Sequence, residues 1–163
     1  MRIASRAAAA VGRALALVVL LFATSSCSSS DTLPRVQLTF TSPSGNVSPA
    51  FRMEVAATLE SRTKGLMFRK AVGPQEGMIF LFGSERRQSF WMKNTLIPLD
   101  IVFVSSDWRV VGILNDVPPL TESPRSVPAP SQYVLEFAGG TAARLGLVEG
   151  AIVNISGHLP AAE

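Results

Sequence analysis

A single cysteine and a single histidine stand among the 163 residues. One cysteine excludes an intramolecular disulfide framework, and the pair excludes a Cys/His zinc cluster built from this chain alone. Charged residues are scarce at 17%, and no acid precedes Asp31. The longest uninterrupted apolar run, Ala14 to Ala23, has ten residues, whereas a spanning helix needs about 20. There is no glycine-rich phosphate loop, no Ser-His-Asp set and no metal-ligand spacing, so no metal or other cofactor is implied. What is abundant is apolar: hydrophobic residues make up 47%, too many for a disordered chain and enough for one core. The length fits one domain.

The formal charge of +3 invites a nucleic-acid reading until its location is traced. Arg2, Arg6 and Arg13 account for the whole excess of 15 Lys+Arg over 12 Asp+Glu. The remainder is neutral, which removes nucleic acid as a partner. Three arginines, then an apolar run, then Thr24, Ser25 and Ser26 before Cys27 have the layout of a secretory signal. The small residues before Cys27 and the serines after it resemble the lipobox of bacterial lipoproteins, although Thr24 stands where leucine is usual. That resemblance implies a signal peptide over 1–27 ending at a lipidated Cys27, and the alternative is ordinary cleavage nearby. Several acyl chains would anchor firmly, because each buried methylene contributes about 0.8 kcal/mol. The expected location is the membrane, facing the periplasm or cell exterior, with Ser28 favouring the outer membrane where there are two.

Residues 28–34 form a polar tether, and a single β domain is expected over 35–158 with a tail at 159–163. Val36, Leu38 and Phe40 alternate with polar neighbours, as do Phe51, Met53 and Val55, which is the half-buried strand pattern. Gly77 opens Met78 to Phe82, apolar on both faces and therefore central. Ser89–Lys93, Leu99–Val104, Arg109–Leu114, Gln132–Phe137 and Ala151–Ser156 are further strand candidates. Helix is confined to Glu60–Lys70 and to Thr141–Leu145, the latter capped by Thr141 and ended by Gly146. Many short strands predict a mainly β fold: a compact antiparallel sandwich or partly closed barrel, with one or two short helices. Pro118, Pro119, Pro124, Pro128 and Pro130 stiffen one long loop.

Lys64-Gly65-Leu66-Met67-Phe68-Arg69, Gly77 to Phe82, Phe90-Trp91-Met92-Lys93-Asn94-Thr95-Leu96-Ile97-Pro98-Leu99-Asp100-Ile101, and Tyr133-Val134-Leu135-Glu136 with Gly139 and Gly150 resemble the domain of unknown function 192 family. The likeness runs from about Arg52 to Ile155. It implies a mainly β domain with jelly-roll-like character, often exported or lipid-anchored, and implies little about activity. Some members carry a cysteine in the proline-rich loop, where this chain has Leu120-Thr121-Glu122-Ser123, which argues against thiol chemistry.

Read from the residues, the same segments offer a polar constellation. Alternation places Trp91 and Lys93 on one face, before the Asn94-Thr95 bend. Asp100, Glu136 and Glu54 each sit between apolar neighbours, where an unsatisfied carboxylate would cost several kcal/mol. With Arg69, they either converge on one pocket or act as separate braces. The ligand-binding candidates are therefore Trp91, Lys93, Asn94, Asp100, Arg69 and Glu136; the only catalytic candidates are Asp100, Glu136 and Glu54. Met53, Met67, Met78 and Met92 are expected to fill core. The preferred expectation is a non-catalytic module binding a small polar ligand, an envelope glycan or a partner protein. The alternatives are a hydrolase using two carboxylates about 5 to 9.5 Å apart, and a structural or assembly factor of the envelope.

Overall fold

Alternating apolar residues fold into seven strands in a computed structural model that describes residues 32–163. The signal segment, Cys27 and most of the tether lie outside the described residues. The elements are β1 (Arg35–Thr41), β2 (Phe51–Ala56), α1 (Leu59–Lys64), β3 (Glu76–Arg86), β4 (Leu99–Val104), β5 (Val110–Val117), β6 (Ser131–Ala138), α2 (Thr141–Leu145) and β7 (Ile152–Ser156). The sheet order is β5-β4-β6-β3-β2-β1-β7. All neighbours are antiparallel except β2 and β3, a parallel pair joined through α1. The sheet curls until its edges approach: Arg109 bridges Ile152, and Val110 N–H donates to the Ala151 carbonyl at 2.9 Å. The result is a half-barrel, the second of the two expected architectures. Its parallel pair was not anticipated, because the α1 crossover carries too short a helix to read as a βαβ unit.

Two apolar layers result. One lines the concave side, with Leu38, Phe51, Val55, Ile79, Val102 and Leu135 among its members. The other covers the outer side of β3, β6 and β4, where Met78, Phe80, Val134, Ile101 and Phe103 pack against Leu66, Met92 and Val127 from the connections. Gly77, Met78, Ile79, Phe80 and Leu81 are all buried, so the both-faces-apolar reading of β3 holds. Three methionines, Met53, Met78 and Met92, are core.

Three local expectations are corrected. Ser89–Lys93 is not a strand: it contributes only an isolated bridge between Phe90 and Arg125, because it turns across the outer face to insert Met92 into the second layer. The first helix stops at Lys64, six residues short of Lys70, because Gly65 takes φ +47° at its C-cap; its start is capped by Thr58 and Ser61 reciprocally. The second helix is not capped by Thr141. Gly140 occupies the N-cap, and the acceptor comes from a distant strand, since Asp100 Oδ2 receives Ala142 N–H at 2.6 Å. Gly146 ends that helix in the left-handed region, as expected. The tail packs back: Leu159 and Ala162 contact the concave layer.

Asp100 also accepts from Asp116 N–H at 2.7 Å and Gly140 N–H at 3.1 Å, so one fully buried carboxylate gathers three backbone donors. It ties β4, the end of β5 and the start of α2 together. Replacing it strands those donors, each costing about 1–3 kcal/mol when buried and unpaired. Asp100→Ala is therefore expected to lower the unfolding free energy by about 3–5 kcal/mol in a denaturant titration, and Asp100→Asn by about half as much. A loss below about 1 kcal/mol for Asp100→Ala would contradict this bracing role.

Candidate functional site

Strand alternation decides which acids can meet. On β4, Val102 and Val104 face the concave layer while Ile101 and Phe103 face outward, so Asp100 belongs to the concave side. On β6, Val134 faces outward and Leu135 and Phe137 inward, so Glu136 belongs to the outer side. Asp100 and Glu136 lie on neighbouring strands yet on opposite faces.

Glu136 is 4% exposed, and the register sets it between Met78 of β3 and Ile101 of β4. No donor among the described residues reaches its carboxyl group. Burial alone pushes its pKa up to about 8, so the group is mainly the neutral acid at neutral pH. It opens onto a cavity of about 230 Å³ between α1 and the segment that follows β3. Phe80, Phe82 and Phe90 wall the cavity, with Phe80 and Phe90 edge to face at 5.1 Å. Thr63, Ser89 and Thr95 offer hydroxyls, Met67 and Trp91 form part of the rim, and Arg62, Lys64 and Arg86 are its cations.

The Phe90–Thr95 bend is stitched in place by backbone bonds. Phe90 and Arg125 exchange N–H donors at 2.9 and 2.7 Å, Met92 N–H reaches Thr121 at 2.8 Å, and Leu120 N–H reaches Thr95 at 3.1 Å. Phe68 N–H closes the other side on the Asn94 carbonyl at 2.8 Å. Phe68, Asn94 and Leu120 all have φ between +55° and +64°, a conformation that Asn tolerates and that is strained for the other two. These bonds hold Trp91 half out, at 44% exposed, while Met92 is fully buried.

The predicted residues divide accordingly. Glu136 and Trp91 share the cavity. Lys93 lies beside it, its ammonium 5.3 Å from the Trp91 ring centre and 3.7 Å from Glu122. Asn94 shapes the bend and directs its amide to the Met67 sulfur at 3.9 Å rather than lining the cavity. Arg69 and Glu54 form a two-point pair at 3.1 and 2.5 Å, with Arg35 3.5 Å from Glu54. The Arg69 hydrogen bonds hold the Glu54 carboxyl below its ordinary range. Glu54 does share the outer face with Glu136, two strands away across Met78, or about 10 Å between backbones. Asp100 is remote. One pocket and two braces thus replace the single constellation. Sequence reasoning missed Lys64, Met67, Arg86, Ser89 and Thr95; Lys64, Met67 and Thr95 fall inside segments of the family resemblance, whereas Arg86 and Ser89 carry no local signal.

Together these features define a half-barrel domain with an acid-floored, aromatic-walled cavity on its outer face. The chain belongs to the domain of unknown function 192 family, described as Uncharacterized ACR, whose pattern matches residues 40–155. No curated protein matches it. A crystal structure of a protein of unknown function from Novosphingobium aromaticivorans is similar, with 46% identity and a TM-score of 0.70, covering 75% of this chain and 86% of that one. Another, of a proposed transcription regulator from Sinorhizobium meliloti, has 33% identity and a TM-score of 0.73 over 76% of this chain and 95% of that one.

The floor acid has a cost that pH reveals. Unfolded, Glu136 ionises near the ordinary glutamate value of 4.5; folded, it stays protonated to about 8. The native state then binds the extra proton, so stability is fully present below the lower value and falls by about 1.4 kcal/mol per pH unit as pH rises between the two. Glu136→Gln is expected to flatten that slope in unfolding titrations from pH 4.5 to 8 and to be the more stable form at pH 8. Glu54 acts in the opposite window, its stabilisation being lost only as pH falls below its unfolded value. Parallel pH profiles of wild type and Glu136→Gln would refute the assignment.

Proposed function

We propose that this protein is an exported, lipid-anchored module of the cell envelope whose half-barrel binds a small polar ligand, most simply a glycan fragment, in the Glu136 cavity. The single observation carrying the binding reading is the buried, unpaired Glu136 carboxyl at the floor of an open cavity. Such a group finds its partner in what occupies the cavity, water or a ligand, and not in the fold. Trp91 adds a half-exposed ring at the rim, suited to stacking on a sugar face. Export and anchoring rest on the three arginines, the apolar run and Cys27. The membrane is reached through the lipid, at the outer membrane where two exist, and no nucleic acid is involved.

Carboxylate-dependent hydrolysis of a glycan is the second reading, because an acid titrating near 8 is a competent proton donor. Its weakness is the second carboxylate: Glu54 is engaged by Arg69 and Arg35. A purely structural or assembly role leaves Glu136 unexplained.

Lysozyme-digested cell-wall fragments, titrated against the full chain in detergent, are expected to shift the Trp91 indole N–H resonance. Trp91→Ala and Glu136→Gln should each weaken binding about tenfold while the fold survives. Unchanged affinity in both folded variants would reject the site, and new reducing ends would favour the hydrolase. For the anchor, labelled palmitate is expected on the wild type and absent from Cys27→Ala, which should leave the membrane fraction; an unlabelled wild type would end that part of the reading.

A further inference from the structure

We propose that the ligand of the Glu136 cavity is a small organic anion, with its charge at the rim and a polar group at the floor. This rests on the reading of the cavity given above and specifies its occupant.

Charge around the opening points to an anion. The cavity has four ionisable lining groups: Arg62 and Lys64 of α1, Arg86 at the end of β3, and Glu136 of β6. Arg62 is already used: it donates to the carbonyls of Ala57 and Leu81 and to Glu163, and lies 5.4 Å from the Phe82 ring centre. Lys64 and Arg86 make no side-chain hydrogen bond or ion pair with any described residue, and both are exposed. Of the acids nearby, Glu54 is held by Arg69 and Glu122 by Lys93, Glu85 is bonded to Ser106, and Glu60, one helical turn before Lys64 on α1, does not line the cavity. The lining itself therefore carries two cations that no described side chain pairs, over a floor acid that is mainly neutral at neutral pH. A cationic ligand would meet repulsion at the rim, and a neutral one would leave the two cations unused.

The walls set the rest of the ligand. Phe80, Phe82 and Phe90 line the passage between rim and floor, so the part of the ligand spanning it presents a ring or an apolar face. The Ser89 hydroxyl and the Glu136 acid then fix orientation, with Thr63 and Thr95, whose hydroxyls donate to the Leu59 and Lys93 carbonyls, left as acceptors. Neither Lys64 nor Arg86 makes an ion pair or hydrogen bond with the Glu136 carboxyl. The two ends of the site are separate recognition elements, one for charge and one for a hydrogen-bonding group.

The test uses matched probes that differ only in the anionic group: N-acetylmuramic acid against N-acetylglucosamine, benzoate against benzamide, and phenyl phosphate against phenol. They are titrated against the full chain in detergent at low and high salt. Binding is read at the Trp91 indole N–H, with Trp108, stacked 3.9 Å from Tyr133 outside the cavity, as internal control. The carboxylate and phosphate pairs separate the two sources of anionic charge. In at least one pair the anion is expected to bind about tenfold tighter at low salt, with the preference shrinking at high salt. Lys64→Ala combined with Arg86→Ala should erase that preference. Glu136→Gln should weaken both members of a pair and leave their ratio unchanged. Neutral members binding as tightly as their anions, or a preference that survives loss of both cations, would overturn the anion assignment while the cavity reading stands. No probe moving the Trp91 signal would overturn both.

Discussion

Burial of both faces of β3, β6 and β4 is the constraint on which the rest of the molecule depends. A curled sheet has one concave side to fill, and seven strands of alternating residues supply that filling. The central strands are apolar on their other side as well, and that side must be kept from water. The chain spends its long connections on this task. The turn after α1 brings Leu66, the segment after β3 brings Met92, and the proline-rich loop brings Val127. The bend that looks so distinctive in the sequence exists because Met92 must point down into that second layer. Trp91 and Lys93 are consequently turned outward, and Phe68, Asn94 and Leu120 accept left-handed backbone to make the crossing. The cavity is the place where this covering layer is incomplete.

Much of this was legible in the residues. β1 and β2 announce themselves by period-two alternation and β3 by the absence of it, which also placed it centrally; the other four strands read as short apolar candidates between turn signals. The half-barrel was one of the two architectures the strand count allowed. Gly146 predicted its own left-handed cap. What failed did so where local preference was overridden by a distant partner. Phe90 to Lys93 alternates like a strand, yet no neighbouring strand is left for it once β6 and β2 flank β3. Thr141 has the chemistry of an N-cap, but Asp100, some 40 residues earlier in the chain, supplies the acceptor.

The candidate site shows the same limit. Sequence reasoning recognised each unusual acid as needing a partner, and two of the three have one: Asp100 has three backbone donors and Glu54 has two arginines. Their convergence could not be read, because it depends on which face each strand turns outward. Register resolves it. Asp100 and Glu136 are one residue apart in the β4–β6 ladder, and that single step sends them to opposite layers.

Of these three acids, Glu136 is then the one for which the described residues give no internal account. A leucine or methionine at that position would complete the outer layer beside Met78 and Ile101 without any desolvation cost. The acid instead destabilises the fold at neutral pH, since the unfolded chain would ionise it freely. Its neighbours do nothing to relieve this: the nearest cations are committed elsewhere or stand at the rim. A group that weakens the native state, is satisfied by nothing within it and opens onto a cavity has its compensation outside the chain. That asymmetry, more than the cavity's size or the aromatic rim, separates this site from the braces at Asp100 and Glu54. The strained backbone of the bend lies beside this site: Phe68 and Asn94 share a hydrogen bond there, and the stitching holds Trp91 at the opening whether or not the cavity is filled.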